Sequence, residues 1–534
     1  MATFTESVAW VCLTWSFFVV LVESIGIRAI LRNFKRPLPP PVSPSLRQNA
    51  PHVTIIRPVK GIEPQLYECI ASSFRLDYPP EKLSIRLCVD DRSDSAYPIL
   101  QKIVEDFPAF DARVLVESED PVLHGENGDA DSLGPNPKIR NISRAYREAK
   151  GDIIWIADCN VWVASGALGR MVDKLMGYRV GGSSARPYKF VHQMPVVVDL
   201  TNFASPPSGD SQALLTSNSE EGLALDPTLA HSGTLAKAWS HGGGRLDEMF
   251  MSTTHAKFYG AINAVGVAPC VVGKSNMFRK SQLDQITNPA ENPNLPKNRN
   301  RPLGVDFFSH NICEDHLIGE LFWQSKITGY RNHGIIWGDL VFQPMSGMSV
   351  VAYAARRARW LRARKFTVMA ATLVEPGVES FLCCAYFSFA ATTLPFFEKS
   401  LGVSQTWSTM GLIWLICVTT WMLGDWTMFR RLHSGLTMLN DTNTPYFAKG
   451  ASNRGGIPAR PFAEWLPAWL GREALALPIW VWAVVLGRTV HWRGKSFRVR
   501  LDATVYEVTE AKRSRSMHTP ELERASSRNK HRVD

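Results

Sequence analysis

HVTIIRPV at 52–59, SIRLCVDD at 84–91 and DIIWIAD at 152–158 are three short apolar runs whose order along the chain predicts the fold class. Each has the length of a buried strand and is rich in residues that favour strands. Stretches with helical spacing of apolar residues separate them, as in KIRNISRAYREA at 138–149. Strands that alternate with helices predict right-handed βαβ units. We therefore expect an α/β domain whose parallel sheet is covered by helices on both faces and binds ligands at the carboxyl ends of its strands.

A membrane anchor is predicted before this domain. Residues 8–27 read VAWVCLTWSFFVVLVESIGI, which is about the 20 residues that cross a bilayer. The next residues, 28–51, begin with basic side chains and continue into a proline-rich run. Because positive charge accumulates on the cytosolic side of a span, we expect 28–51 to be a cytosolic linker and 52–365 a cytosolic domain.

Three further apolar segments follow that domain, at about 366–397, 407–429 and 473–490. Basic residues on both sides of the first two predict a membrane hairpin. The third would carry the basic tail, 491–534, across the membrane, so we expect it to re-enter or to pair with 462–470.

The segment 203–247 interrupts the predicted domain. It contains PPSGDS, SNSEEG and HGGGRLDE and lacks apolar periodicity. This composition predicts a surface insertion.

Composition narrows the class of protein further. Of the 534 residues, 45% are hydrophobic and 20% are charged, which excludes a disordered chain. A net charge of +10 is modest for this length and fits an anionic ligand or membrane face better than a nucleic acid. Nine cysteines without a C-x-x-C pair predict neither a zinc site nor a disulfide framework, so we expect the domain to face a reducing compartment.

Carboxylates follow two of the predicted strands. Asp91 and Asp94 come after the second apolar run, and Asp158 ends the third, with Asn160 two residues on. Such residues can serve only to bond the local backbone, but a carboxylate and an amide oxygen at this spacing also suit a hard cation. Two acidic strand ends in one sheet favour a nucleotide diphosphate bound with Mg²⁺ or Mn²⁺. The sequence has neither G-x-G-x-x-G nor G-x-x-x-x-G-K-[ST], which argues against a dinucleotide or P-loop site.

Two more charged motifs lie near the end of the domain. Glu314 and Asp315 form an acidic pair that opens a helical run, where the helix dipole alone would stabilise them. Arg356, Arg359 and Trp360 form R-x-x-R-W just before a membrane segment, where such residues also serve as interfacial anchors. Each motif therefore has both a structural and a functional interpretation.

Taken in order, these features resemble the ceramide glucosyltransferases, membrane enzymes of the GT-A-type glycosyltransferase group. The resemblance extends over about 55–500 and includes RPVKGIEPQL, FRLDYP, LCVDD, PNPKI, IIWIAD, CVVGKS and WRGKSFRVRL. It implies a GT-A-type catalytic domain, a UDP-glucose donor, a ceramide acceptor and inversion at the anomeric carbon. It also implies a Golgi or ER membrane as the location, with the lipid bilayer as a partner.

The resemblance assigns roles to individual residues. Asp315 matches the expected catalytic base, and Asp158 matches the aspartate expected to hold a divalent cation. The remaining matches imply substrate binding, by Asp91, Asp94, His255, Cys270, Arg356, Arg359 and Trp360. For His255 and Cys270 a packed core position is an equally good interpretation. The D-x-N at Asp158 departs from the D-x-D of many related enzymes.

Two other functions compete with this interpretation. A membrane polysaccharide synthase of the same group is the alternative enzyme, although the chain has few spans for a polymer channel. The alternative outside enzymes is a membrane scaffold whose soluble domain has lost catalysis, which the complete acidic set and R-x-x-R-W disfavour.

Overall fold

The computed structural model describes residues 4–201, 234–293, 295 and 301–508. The strands in these ranges are β1 Val53–Pro58, β2 Leu83–Val89, β3 Asp111–Val116, β4 Ile153–Ala157, β5 Tyr188–Asp199, β6 Ser275–Arg279, β7 Arg331–Met345, β8 Thr489–Trp492, β9 Lys495–Val499 and β10 Val505–Glu507. The first seven form one sheet in the order β3-β2-β1-β4-β6-β5-β7. Its neighbouring strands are parallel, except that β6 is antiparallel to both β4 and β5. The last three strands form a small antiparallel sheet in the order β10-β9-β8.

The helices of the α/β domain and of the segment before it are α1 Phe4–Asn33, α2 Leu66–Ala71, α3 Tyr97–Asp106, α4 Pro121–His124, α5 Pro137–Arg147, α6 Ala167–Met176, α7 Thr234–His241, α8 Gly243–Ser252, α9 Thr254–Val265, α10 Lys280–Thr287, α11 Glu314–Gln324 and α12 Val350–Arg364. The helices that follow are α13 Met369–Val374, α14 Ser380–Thr393, α15 Pro395–Leu401, α16 Trp407–Leu432, α17 Tyr446–Lys449 and α18 Phe462–Trp480.

The large sheet separates two apolar cores. Successive side chains of a strand point to opposite faces, so Trp155 of β4 lies in one core and Ile156 in the other. Leu168 of α6 packs into the first core, and Ile142 of α5 packs into the second. The predicted α/β class, with a mainly parallel sheet between helices and additional membrane helices, is confirmed.

The antiparallel strand β6 is a feature that the sequence analysis did not predict. Its reversed direction puts the start of β6 at the edge where β1, β2 and β4 end. The backbone N–H of Asp158 donates to the carbonyl of Lys274 at 3.1 Å. The residues just before β6 therefore lie beside the residues just after β4, at the same edge of the sheet.

Among the residues that the structure describes, three helices are long and apolar enough to cross a membrane: Phe4–Asn33, Trp407–Leu432 and Phe462–Val485. The last of these continues α18 through a π-helical turn and runs through both 462–470 and most of the segment expected at 473–490. The segment expected at 366–397 is broken into α13, a 3₁₀ turn and α14. Helices α14 and α15 then meet at 71°.

The predicted surface insertion falls largely on 202–233, which lies outside the described residues. At its C-terminal end the structure differs from the prediction, because helix α7 and the first half of α8 lie there. Leu246 and Asp247 of α8 are buried. They are buried because α8 packs against β5, α12 and α18.

Candidate active site

The ammonium group of Lys138 contacts three carboxylates at the carboxyl edge of the large sheet. Lys138 Nζ lies 3.3 Å from Asp158 Oδ1, 3.3 Å from Glu314 Oε1 and 3.0 Å from Asp315 Oδ2. Lys138, Asp158, Glu314 and Asp315 are called the Lys138 cluster below. The structure thus brings together the predicted base and the predicted metal ligand, which are 157 positions apart in sequence.

Helix ends hold the cluster together. Asn136 caps α5 by accepting hydrogen bonds from the backbone N–H groups of Lys138 at 2.8 Å and Ile139 at 3.2 Å. The amide nitrogen of Asn136 donates to Glu314 Oε2 at 3.0 Å. The first turn of α5 is therefore fixed against the first turn of α11, where Glu314 and Asp315 lie.

Burial and mutual attraction set the charges in the cluster. Burial alone would lower the pKa of Lys138, but the three carboxylates outweigh it and raise that pKa well above its ordinary value. Burial would raise the pKa of Asp158, yet Lys138 and Lys274 hold it well below its usual range. Burial and then the neighbouring Asp315 raise the pKa of Glu314 to about 7. Lys138 and Asp158 are thus charged at neutral pH, whereas the surroundings of Glu314 favour its protonated form.

Lys274 is a second cation at this edge. Its Nζ lies 3.0 Å from Asp158 Oδ2 and 3.0 Å from Asn160 Oδ1. An ammonium group therefore bridges the two oxygens of the D-x-N motif that were predicted to share a divalent cation. Both carboxylate oxygens of Asp158 contact an ammonium group, since Lys138 meets the other one. The described residues contain no group of three His, Cys, Asp or Glu side chains suited to a metal ion.

Gly273 allows Asp315 to reach this edge. A Cβ atom at position 273 would overlap the carboxylate of Asp315. Any larger residue there would push Asp315 away from Lys138. The stretch CVVGKS thus places a residue without a side chain beside the predicted base and a lysine beside Asp158.

The R-x-x-R-W residues have separate environments on α12. Arg356 Nε lies 3.2 Å from the buried carboxylate of Asp247, and its guanidinium stacks over Trp360 at 4.8 Å. Trp360 also packs edge-on against Phe250. Arg359 has no hydrogen bond or ion pair to any described residue. The charge of Asp158 acts to raise the pKa of Arg359. Arg359 therefore keeps its N–H donors available to a ligand near Asp158.

The turn after β2 holds the two other predicted aspartates. Asp94 is buried and accepts hydrogen bonds from the backbone N–H groups of Gly61 and Ala96, each at 2.9 Å. Lys60 pairs with Asp94 at 3.1 Å. Burial would raise the pKa of Asp94, but these contacts outweigh burial and lower that pKa. Asp91 is exposed and bonds Ser93 and Ser118. Within the described ranges neither aspartate has a hydrogen bond or ion pair to the Lys138 cluster, so their substrate-binding roles stay predictions.

His255 and Cys270 have no hydrogen bond or ion pair to the Lys138 cluster within the described ranges. His255 stacks on Tyr259 with ring centroids 5.4 Å apart. Burial, followed by the charge of Arg357, lowers the pKa of His255 to about 3. Burial raises the pKa of Cys270 to about 12. A neutral imidazole and a protonated thiol suit packed positions, and substrate binding by these residues stays a prediction.

Sequence reasoning did not select Lys138, Gly273 or Lys274 as site residues. They lie in PNPKI and CVVGKS, two of the stretches on which the family resemblance rests. A lysine at the start of a helix that precedes an acidic strand end was the available signal for Lys138. Nothing in the sequence indicated that Lys274 would lie beside Asp158, because that depends on the reversed direction of β6.

Comparison with known proteins agrees with the resemblance found in the sequence. The family model for glycosyl transferase family 21 matches residues 16–206 and 226–505. The chain is 57% identical over 535 residues to a ceramide glucosyltransferase of Gibberella zeae, with 100% of each chain covered. It is 51% identical to a ceramide glucosyltransferase of Pyricularia oryzae over 516 residues, covering 96% of this chain and 97% of the relative.

More distant relatives and structures are also similar. A ceramide glucosyltransferase of Candida albicans is 34% identical over 562 residues, covering 95% of this chain and 99% of the relative. A mannosyltransferase of Pyrobaculum calidifontis, solved with GDP-Man and Mn²⁺, is 15% identical with a TM-score of 0.40 and covers 80% of this chain and 97% of that one. From the family match and the full-length relatives, the chain belongs to glycosyl transferase family 21.

Proposed function

We propose that the chain transfers glucose from UDP-glucose to the primary hydroxyl of ceramide with inversion at the anomeric carbon, and so makes glucosylceramide. The observation that carries this proposal is the Lys138 cluster at the ligand-binding edge of the sheet, which presents a carboxylate base beside fixed positive charges. The full-length relatives named as ceramide glucosyltransferases support the choice of sugar and acceptor.

Asp315 is the base in this proposal. Its side chain is 24% exposed, whereas that of Glu314 is 4% exposed, so Asp315 is the member of the pair that can meet a substrate. A primary hydroxyl is a poor nucleophile. Asp315 takes its proton while the oxygen attacks the glucose carbon on the face opposite the diphosphate. Lys138 holds the Asp315 carboxylate in position for that transfer.

The chain's own cations stabilise the leaving UDP. Arg359 has free N–H donors in a planar fork that suits phosphate oxygens. Lys274 and Lys138 add positive charge at the same edge, where negative charge develops as the sugar leaves. Asp91 is exposed in the turn after β2, where it is accessible to another part of the donor.

The divalent cation predicted at Asp158 stays a prediction of the sequence. The arrangement around Asp158 and Asn160 does not fit such an ion, because Lys274 bridges their oxygens and Lys138 contacts the remaining carboxylate oxygen. We therefore derive no step through a metal. Turnover measured with a strong chelator tests whether a divalent cation is needed, and we expect activity to persist. Loss of activity that Mn²⁺ or Mg²⁺ restores would contradict the misfit of the site to a metal ion.

The packing of a candidate span beside the site supports a lipid acceptor. One part of α12 carries Arg359, and another packs through Leu361 against Ile479 and Val484 of the third candidate span. The site therefore adjoins the membrane region directly. Each CH₂ group of an acyl chain costs about 0.8 kcal/mol to move into water, so ceramide must be used at the bilayer surface.

We propose that the catalytic domain faces the cytosol on a Golgi or ER membrane. The basic residues that follow the first span support this orientation. Protease added to sealed microsomes should cut the 203–247 segment. Complete protection of that segment would reverse the topology.

A donor panel tests the function itself. The full chain in membranes is given ceramide with each of several UDP-sugars, and lipid products are identified by mass. We expect a hexosylceramide with UDP-glucose and little product with other sugars. A polymer product would favour the polysaccharide synthase, and the absence of both UDP release and product would favour the inactive scaffold.

A further inference from the structure

The tip of the β8–β9 hairpin has an arginine in an unusual conformation. Trp492 pairs with Lys495, so Arg493 and Gly494 are the two residues of the turn. Both have positive φ, 49° and 77°, as in a type I′ turn. Asn, Asp and Gly are the residues favoured at such positions, and arginine is not. A non-glycine residue held in this region suggests that its side chain has a purpose.

The small sheet is docked against both parts of the active site. The backbone N–H of Val505 donates to the carbonyl of His310 at 2.8 Å, and Asn311 Nδ2 donates to the carbonyl of Ala503 at 2.8 Å. Residues 310–311 lead directly into Glu314 and Asp315. On the other side, Arg362 Nη1 donates to the carbonyl of Thr489 at 2.9 Å. The hairpin is thereby fixed to the chain before the acidic pair and to the helix that carries Arg359.

The Arg493 side chain has unused hydrogen-bonding capacity. Its Nη1 atom is buried and has no hydrogen-bond partner, while its guanidinium lies 5.6 Å from the Trp492 ring centroid. Leaving a charged donor without a partner is costly, so a ligand that accepts from it would be stabilised. Arg359 also has donors without a protein partner, because it makes no hydrogen bond or ion pair in the described chain.

Electrostatic effects put the two arginines in one neighbourhood. Burial and then the charges of Arg356 and Arg493 lower the pKa of Arg359 to about 10, against the opposing effect of Asp158 and Glu63. Arg493 also acts on the buried thiol of Cys159, which lies between Asp158 and Asn160. Two guanidinium groups that repel each other and lack carboxylate partners form a site for an anion with several oxygens.

We propose that Arg493 is a ligand-binding residue that grips the diphosphate of the nucleotide-sugar donor together with Arg359, so that the C-terminal hairpin completes the donor site. This inference rests on the proposed function and adds a binding residue to it. The planar fork of Arg493 donates to phosphate oxygens. The negative charge of the diphosphate then offsets the repulsion between the two arginines.

The test compares UDP and uridine binding to the purified full chain by titration calorimetry. Arg493→Asn removes the guanidinium but leaves Asn-Gly, the pair most favoured in this turn, so the variant should melt at or above the wild-type temperature. We expect it to bind UDP about thirtyfold more weakly, the effect of losing one charge-assisted hydrogen bond. Uridine, which lacks phosphates, should bind equally to both proteins. Arg493→Lys should bind UDP at an intermediate level.

Arg498→Gln is the matched control, because Arg498 is an exposed arginine of the same hairpin. It should bind UDP as the wild type does. Equal UDP affinity of Arg493→Asn and wild type would overturn this inference alone, as would an equal loss for UDP and uridine. Failure of the wild type to bind UDP would overturn the proposed function and the inference with it.

Discussion

Replacing Lys138 by methionine removes the charge that three carboxylates share while keeping a side chain of similar length. Lys138 Nζ lies within 3.3 Å of Asp158, Glu314 and Asp315, and its side chain is 7% exposed. No other cation contacts Glu314 or Asp315 among the described residues. We therefore expect Lys138→Met to affect both stability and turnover.

The magnitude follows from the geometry. Two unit charges 3.0 Å apart attract with roughly 5 kcal/mol at an effective dielectric constant of about 20, and burial of the ammonium group offsets part of this. Removing one partner of a buried ion pair costs about 3–5 kcal/mol of unfolding free energy. Without Lys138 the pKa of Glu314 rises further and that of Asp158 rises from its depressed value. The cluster then holds an extra proton at neutral pH, so turnover should fall by at least about 10², the usual contribution of a general base.

The assay measures the melting temperature and the pH profile of glucosyl transfer for the full chain in detergent. Lys138→Met should melt several degrees lower and recover part of its turnover at alkaline pH, where the carboxylates lose the extra proton. Lys102→Met is the matched control, because Lys102 pairs with Asp106 at 3.3 Å on the surface, where such a pair contributes less than about 1 kcal/mol. If Lys138→Met melted with the wild type and kept its pH profile, the proposed role of Lys138 would be wrong.

Four further substitutions test single features of the site. Asp315→Asn should lower turnover by roughly 10² to 10⁴ with little change in the KM for UDP-glucose, and a loss under about tenfold would contradict its role as base. Arg359→Lys should lower turnover about thirtyfold, or about 2 kcal/mol, because a point charge cannot replace a planar fork; wild-type turnover would indicate a membrane anchor instead. Gly273→Ala should reduce turnover by displacing the Asp315 carboxylate, whereas Gly411→Ala, with nothing within 4 Å of the added Cβ, should be silent. The pKa of Glu314 is raised from 4.5 to about 7, so its contribution to stability is complete below about pH 4.5 and is lost as the pH rises through about 7. Glu314→Gln should therefore weaken the fall of the melting temperature with rising pH. An unchanged dependence of the melting temperature on pH would count against this role of Glu314.

The sheet and its acidic edge could be predicted because the signals are local. Each apolar run is a strand, and a carboxylate that follows a parallel strand must lie at the carboxyl edge, which identified Asp158. Asp315 was assigned through the family resemblance, and its role as base stays a prediction; the structure places it beside Lys138.

The contacts that organise the site depend on long-range geometry and could not be predicted in this way. Lys274 reaches Asp158 only because β6 is antiparallel to β4. Arg356 pairs with Asp247, which lies in a segment that the sequence analysis interpreted as a surface insertion. Neither partner is close in sequence, and no short motif encodes either pairing.

The linkage and identity of the transferred sugar test the central claim most directly. Full-length protein is given ceramide and UDP-glucose labelled with ¹³C in the sugar, and the lipid product is analysed by mass and by digestion with glycosidases specific for each anomer. We predict ceramide heavier by one labelled hexose, joined through a β-linkage, because the donor is α-linked and Asp315 activates the hydroxyl for direct displacement. An α-linked product, a labelled polymer, or labelled glucose released into water without glucosylated ceramide would contradict the account.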